Sequence, residues 1–213
     1  MLVALNAELD TGIAMNVIYG VGFNDFNGRV TTNRKNDKEY SLWTSILERC
    51  YGEGTQEVKI TYRGCTMSEN FKSFSFFYNW CQSQKGFRTL EVNNRHWHLD
   101  KDILVRGNKL YSEHTCCFIP QKINALLTRR QSLRGEYPLG VSLNKRSGKF
   151  QASCKDGTGK LKYLGIFPTQ EQAFEAYKAF KESIVKRLAN EYKGLIDARV
   201  YHALMNYTVE ISD

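Results

Sequence analysis

The chain has 213 residues, 42% of them hydrophobic, with only three prolines and a formal charge of +8. These values exclude an intrinsically disordered chain and predict a folded, soluble protein of one large domain or two small ones. No apolar run approaches the about 18 residues of a membrane-spanning helix, and the basic balance points to a polyanion, nucleic acid before an acidic membrane surface.

The opening stretch MLVALNAELDTGIA is apolar in part. Asn6, Glu8 and Asp10 interrupt it and no basic residue precedes it, so it is a poor signal peptide. Residues 1–14 are expected to be a poorly ordered leader, with Met15 as an alternative start. The six cysteines (Cys50, Cys65, Cys81, Cys116, Cys117 and Cys154) form no C-x-x-C pair. No structural zinc is expected, and the thiols should be reduced and mostly buried, as in a cytoplasmic protein.

From Met15 to about residue 35 the pattern is a short strand followed by a polar loop. Val17 to Phe23 is β-branched and aromatic, and Asn24, Asp25, Asn27 and Gly28 break it. Leu42, Trp43, Ile46, Leu47 and Cys50 recur at helical spacing, predicting a helix over about Glu39–Tyr51 that ends at Gly52. Val58 to Tyr62 alternates as a strand does. Ser68 is placed to cap a further helix with Phe71, Phe74, Phe77, Trp80 and Cys81 on one face. Those aromatics could stack on bases, but their helical spacing favours core packing.

The stretch His96–Asn124 reads strand, loop, strand, helix start. Trp97 and Leu99 fall on one face of the first run, and His96, His98 and Asp100 on the other. Arg106-Gly107-Asn108-Lys109 supplies turn chemistry, and Cys116 to Ile119 is a short apolar strand stopped by Pro120. A helix starting near Gln121 carries Asn124 in its first turn. Oxygen ligands facing one another on such a hairpin could hold one divalent cation against a phosphate, or could simply be solvated.

Arg129 to Gly135 is basic and polar, and residues 129–136 are expected to be a linker between an N-terminal region (15–128) and a C-terminal module (137–213). Three strands follow, at about Leu139–Leu143, Lys149–Lys155 and Lys160–Phe167, with turns at Ser147-Gly148 and Asp156-Gly157. Thr169 to Gln172 is a capping box. The helix after it carries Ala173, Tyr177, Phe180, Ile184 and Leu188 as an apolar stripe and should run to about Tyr192. Val200–Ile211 is expected as a tail element packing back on the fold.

Charge concentrates here. Between Thr128 and Lys162 there are nine basic residues against Glu136 and Asp156, a net +7. On the central strand Phe150, Ala152 and Cys154 should face the helix, with Lys149, Gln151, Ser153 and Lys155 facing away. A basic, polar sheet face of this kind fits the DNA major groove, although a solvated lysine-rich face is the plainer alternative.

Tyr137-Pro138-Leu139-Gly140-Val141, Gly148 to Ala152, Tyr163 to Phe167 and Thr169 to Tyr177 together resemble the APETALA2-type DNA-binding domain, over about Tyr137–Tyr192. The resemblance implies a three-stranded sheet backed by one helix, with double-stranded DNA as partner. It puts DNA contacts at or near Lys145, Arg146, Lys149, Ser153, Lys155 and Tyr163. Gln151 and Lys162, and Arg129 and Arg130 of the linker, complete the expected interface.

The 96–124 stretch is similar to the HNH nuclease motif of phage homing endonucleases, which often carry an APETALA2-type domain at their C-terminus. The resemblance implies metal-dependent DNA cleavage or nicking in the host cytoplasm, with Mg2+ or another divalent cation held by Asp100 and Asn124. Asn108 would brace the loop. Lys101 stands where the family places its general-base histidine, and either holds the phosphate or marks an inactive site. His98 and His114 are then the candidate bases, and Asp102 either a second ligand or the partner of Lys101 or Arg106. The expected fold class is α+β, with an HNH-like ββα module ahead of a three-stranded antiparallel sheet packed on one long helix. The rival readings are a non-cleaving DNA-binding protein and a protein that binds a host partner.

Overall fold

The structure, a computed structural model, describes residues 17–32, 35–91, 94–127 and 136–211. The expected leader, Met15, Arg129, Arg130 and nearly all of the expected linker lie outside the described residues.

In chain order the elements are β1 (Val17–Ile18), β2 (Gly22–Phe23), β3 (Thr31–Thr32), β4 (Lys35–Asn36), α1 (Lys38–Tyr51), α2 (Glu53–Val58), a 3-10 turn (Ile60–Tyr62), β5 (Thr66–Met67), α3 (Glu69–Lys72) and α4 (Phe74–Ser83). Then come β6 (His98–Asp100), β7 (Leu110–Tyr111), β8 (Cys117–Ile119), α5 (Gln121–Leu127), β9 (Val141–Asn144), β10 (Lys149–Lys155), β11 (Leu161–Phe167), α6 (Gln170–Glu191) and α7 (Ala198–Met205). The class is α+β. Contacts divide the chain into two compact units, one running to Cys81 and including Leu110–Glu113, the other comprising Gln82–Lys109 and His114 onward.

The first unit is built on aromatic packing. Trp43, Phe71, Phe74 and Phe77 are essentially inaccessible, and Trp43 Nε1 donates to the Phe71 carbonyl at 2.8 Å. The expected apolar face of the second helix is therefore core. The helix itself is broken in two. Ser68 caps α3 by accepting from Phe71 N, and α4 starts after Ser73, where Asp25 accepts from Ser75 N and Ser73 Oγ at 2.8 and 2.7 Å. Two expected strands take other forms. Val17–Phe23 folds back as a β1–β2 hairpin around Tyr19 and Gly20, both at positive φ. Val58–Tyr62 ends α2 and enters the 3-10 turn, leaving Val58 and Ile60 largely exposed.

In the second unit, β6 and β8 pair antiparallel, His98 opposite Ile119 and Asp100 opposite Cys117, and α5 follows directly. Trp97 anchors β6. It is buried, lies edge-on to Tyr192, and packs so closely on Gly86 that a Cβ there would fall within 2.3 Å of its ring.

β9, β10 and β11 form an antiparallel sheet with β10 central, packed on the 22-residue α6. Thr169 Oγ1 accepts from Gln172 N, as the capping pattern predicts. Ala173, Tyr177, Ile184 and Leu188 of the expected stripe are buried, with Phe180 partly so. Gly140 has φ +75, and a Cβ there would lie 2.0 Å from the Tyr177 ring, so only glycine fits that approach. The tail packs back through α7, burying Val200, Leu204 and Val209. All six cysteines are free and buried. Among the described residues, no helix is long and apolar enough to cross a membrane.

Candidate functional site

The hairpin face takes shape from β6 and α5. Strand alternation buries Trp97 and leaves His98 exposed and Asp100 half-buried on the opposite face. Pro120 ends β8 and starts α5, its carbonyl accepting from Asn124 N at 3.0 Å. Ile123 turns into the core, and Asn124 faces β6, where its Nδ2 lies 3.1 Å from His98 Nδ1. The helix residue and the strand histidine therefore meet, two positions from Asp100 on the same strand face.

Asp100 terminates β6. Its Oδ1 accepts from the backbone amides of Asp102 at 2.8 Å and Ile103 at 2.7 Å, which turns the chain into the loop. Burial pushes its carboxyl up from the ordinary carboxylate value, and neighbouring Asp102 adds to the rise. The two amide bonds and Lys101 oppose that rise without cancelling it.

Lys101 occupies a place other than the one expected of a phosphate ligand. It is only 6% exposed, and its Nζ donates to Asp102 Oδ1 and to the Asn108 carbonyl, both at 2.7 Å. Asn108 Nδ2 donates back to the Lys101 carbonyl at 2.8 Å. Lys101 and Asn108 thus clamp the 101–108 loop reciprocally, and Asp102 is the partner of Lys101. His114 is exposed, and its carbonyl accepts from Arg199 Nη1 at 3.2 Å.

Among the described residues, no three or more His, Cys, Asp or Glu side chains gather as a metal cluster. The face offers one carboxylate, one amide and one imidazole. That set suits a Mg2+-type ion, which binds through one or two protein oxygens and keeps several waters, better than it suits zinc.

The basic sheet is sorted by register. Gln151 pairs with Ser142 and Ile166, Ser153 with Tyr163, and Lys155 with Leu161, so these residues share the outer face with Lys149. Ala152 and Cys154 are buried toward α6. Lys145 and Arg146 are exposed in the β9–β10 turn, which Asn144 Oδ1 closes by accepting from Arg146 N and Ser147 N. Lys162 departs from the expected interface. It pairs with the buried Cys154, and its Nζ sits 4.8 Å above the Phe180 ring, on the helix side of the sheet. Lys162 and Tyr163 are adjacent on β11, so strand alternation alone sends them to opposite faces, while the irregularity beside Ala152 and Ser153, where Leu164 is the extra residue, returns Ile166 to the face of Tyr163. Asn144 is a residue that sequence reasoning missed. Its place just before a Lys-Arg-Ser-Gly turn is the available signal, since asparagine caps its own turn amides.

If the outer face binds DNA, replacing Lys149 and Lys155 together with alanine lowers the magnitude of the log affinity against log salt slope by about 2. An anisotropy titration over a salt series measures it, and an unchanged slope removes these lysines from the interface.

Comparisons of the chain with protein-family models, curated proteins and solved structures find no match.

Proposed function

We propose that the protein is a metal-dependent DNA endonuclease of the HNH homing type, binding double-stranded DNA through the outer face of β9–β11 and hydrolysing or nicking a phosphodiester at the β6–β8–α5 face. The observation that carries this reading is the His98–Asn124 contact, which brings the helix residue to the strand face bearing Asp100. The basic sheet in the same chain supports it by supplying affinity for the same polyanion.

Asp100 and Asn124 are the residues that would hold a divalent cation such as Mg2+, which when bound would supply neutralisation of phosphate charge and stabilisation of the leaving oxygen. With the Asn124 amide as placed, Nδ2 donates to His98 Nδ1, so the neutral ring carries its proton on Nε2, and that nitrogen can only donate. Turning the isosteric amide over lets Oδ1 accept from Nδ1–H and presents an oxygen, the atom type a Mg2+-type ion would take, on this face. His98 Nε2 then takes the proton of the attacking water, and this is the orientation assigned to the reacting state. Lys101 and Asn108 hold the loop that presents Asp100.

A second reading, DNA binding without cleavage, is favoured by one observation: the HNH-type base position is a buried, fully engaged lysine. Incubation with supercoiled plasmid decides between them. Nicked or linear product with Mg2+ and none with chelator is expected, and Asn124→Ala should slow the reaction roughly 10–100-fold. Metal-independent DNA binding with no cleavage overturns the nuclease and leaves the second reading.

A further inference from the structure

The outer face of the sheet is not polar throughout. β11 places Leu161, Tyr163 and Ile166 there, exposed by 71%, 57% and 41%. Single exposed apolar residues are ordinary on a protein surface, but three on one face of one strand mark a contact surface. Phosphates offer them nothing, and neither does water. Base edges and thymine methyl groups do.

The register sharpens this. Ile166 lies directly opposite Gln151, and Tyr163 opposite Ser153. Directly opposed side chains on one sheet face stand about 5 Å apart at Cβ, close enough to act on the same few atoms of a groove. Gln151 has a polar neighbour on the same face. Asn144, itself fixed by two turn amides, lets its Nδ2 approach Gln151 Oε1 at 3.5 Å. A glutamine amide matches adenine, accepting from the N6 amino group and donating to N7. An apolar neighbour matches the C5-methyl of thymine, the one apolar group of the major-groove edge. The same neighbour disfavours cytosine, whose amino group would be buried against a side chain that cannot accept its proton.

We propose that the Gln151–Ile166 cross-strand pair reads A·T-rich steps in the major groove, Gln151 bonding the adenine edge and Ile166 packing on thymine methyls. This deepens, and rests on, the reading of the sheet as a DNA interface. Lysines supply affinity without sequence information, and this pair supplies the preference.

The test compares three duplexes of equal length by fluorescence anisotropy with the full chain: alternating dA·dT, the same sequence with uracil in place of thymine, and alternating dG·dC. Uracil removes the methyl and leaves every hydrogen-bonding group. Wild type should bind the uracil duplex roughly threefold to fourfold more weakly than the thymine duplex for each methyl group that Ile166 would otherwise cover. Ile166→Ala should bind those two duplexes alike with its salt slope unchanged, and Ile166 is exposed enough for the truncation to spare the core. Gln151→Ala should narrow the dA·dT over dG·dC preference roughly tenfold. Equal wild-type affinity for the thymine and uracil duplexes overturns the proposal while leaving DNA binding by the sheet intact. Failure to bind any of the three overturns the DNA interface itself.

Discussion

Asp100→Asn is expected to slow metal-dependent cleavage about 10²–10³-fold while leaving the fold as stable as before, or more so. On the proposed reading the carboxylate is the anionic ligand of the cation, and losing several kcal/mol of transition-state charge stabilisation would slow the reaction by that factor. The fold responds differently because the two loop amides bond Oδ1, and an asparagine keeps an acceptor there. The sign of the charge effect follows from the raised folded-state pKa. Protonated Asp100 is favoured by folding, so its contribution is fully present below the ordinary carboxyl pKa of about 3.9 and is lost as pH rises through the folded value. At neutral pH the metal-free wild type therefore carries a half-buried charge that asparagine removes. Thermal melts in chelator should show the variant melting at or above wild type at pH 7, with the difference narrowing toward pH 4. A variant that melts far below wild type at pH 7 would mean that the charge itself holds the loop. A variant that still cleaves at the wild-type rate would remove Asp100 from the metal site.

How far the sequence foretells this face depends on where each side chain finds its partner. His98, Asp100 and Asn124 are legible because alternation along β6 and the Pro120 stop are local signals, and the structure keeps both. The long helix is legible for the same reason, since Thr169 caps it and the apolar period never breaks. Lys101 is not legible. Its burial depends on a backbone carbonyl seven residues away, and no residue type announces an acceptor of that kind. Lys162 is the strand neighbour of Tyr163 and so cannot share its outer face; what alternation does miss is the extra residue at Leu164, which brings Ile166 onto that face. Val58–Tyr62 has strand-like residues but finds no strand partner. Its backbone bonds locally instead, and the Gln56 amide donates to the Tyr62 carbonyl and accepts from Gly64 N. The β1–β2 hairpin hides behind a tyrosine, because Tyr19 takes the positive φ that sequence reasoning assigns to glycine or asparagine.

Lys101→Met is expected to cost about 2–3 kcal/mol of stability, and Lys101→His to bring no gain in cleavage. Methionine keeps the apolar stem and roughly fills the same space, so the loss isolates the ammonium group. That group donates to the Asn108 carbonyl from a site only 6% exposed, and the carbonyl is left without its charged donor. Asp102 loses less, because its side chain is 53% exposed and water replaces the lysine. The Asn108 bond to the Lys101 carbonyl uses the backbone and survives the substitution, so the loop loosens without opening. A histidine at 101 is shorter than lysine and cannot span to the Asn108 carbonyl from the same backbone position. Its ring would lie inside the clamp, away from the face where His98 and Asn124 meet, and so would not act as a base there. Urea unfolding should therefore place both variants below wild type at similar slope, with nicking rates reduced in step with loop order. Were Lys101 a direct phosphate ligand, methionine would spare stability and weaken DNA binding and cleavage together, the opposite pattern.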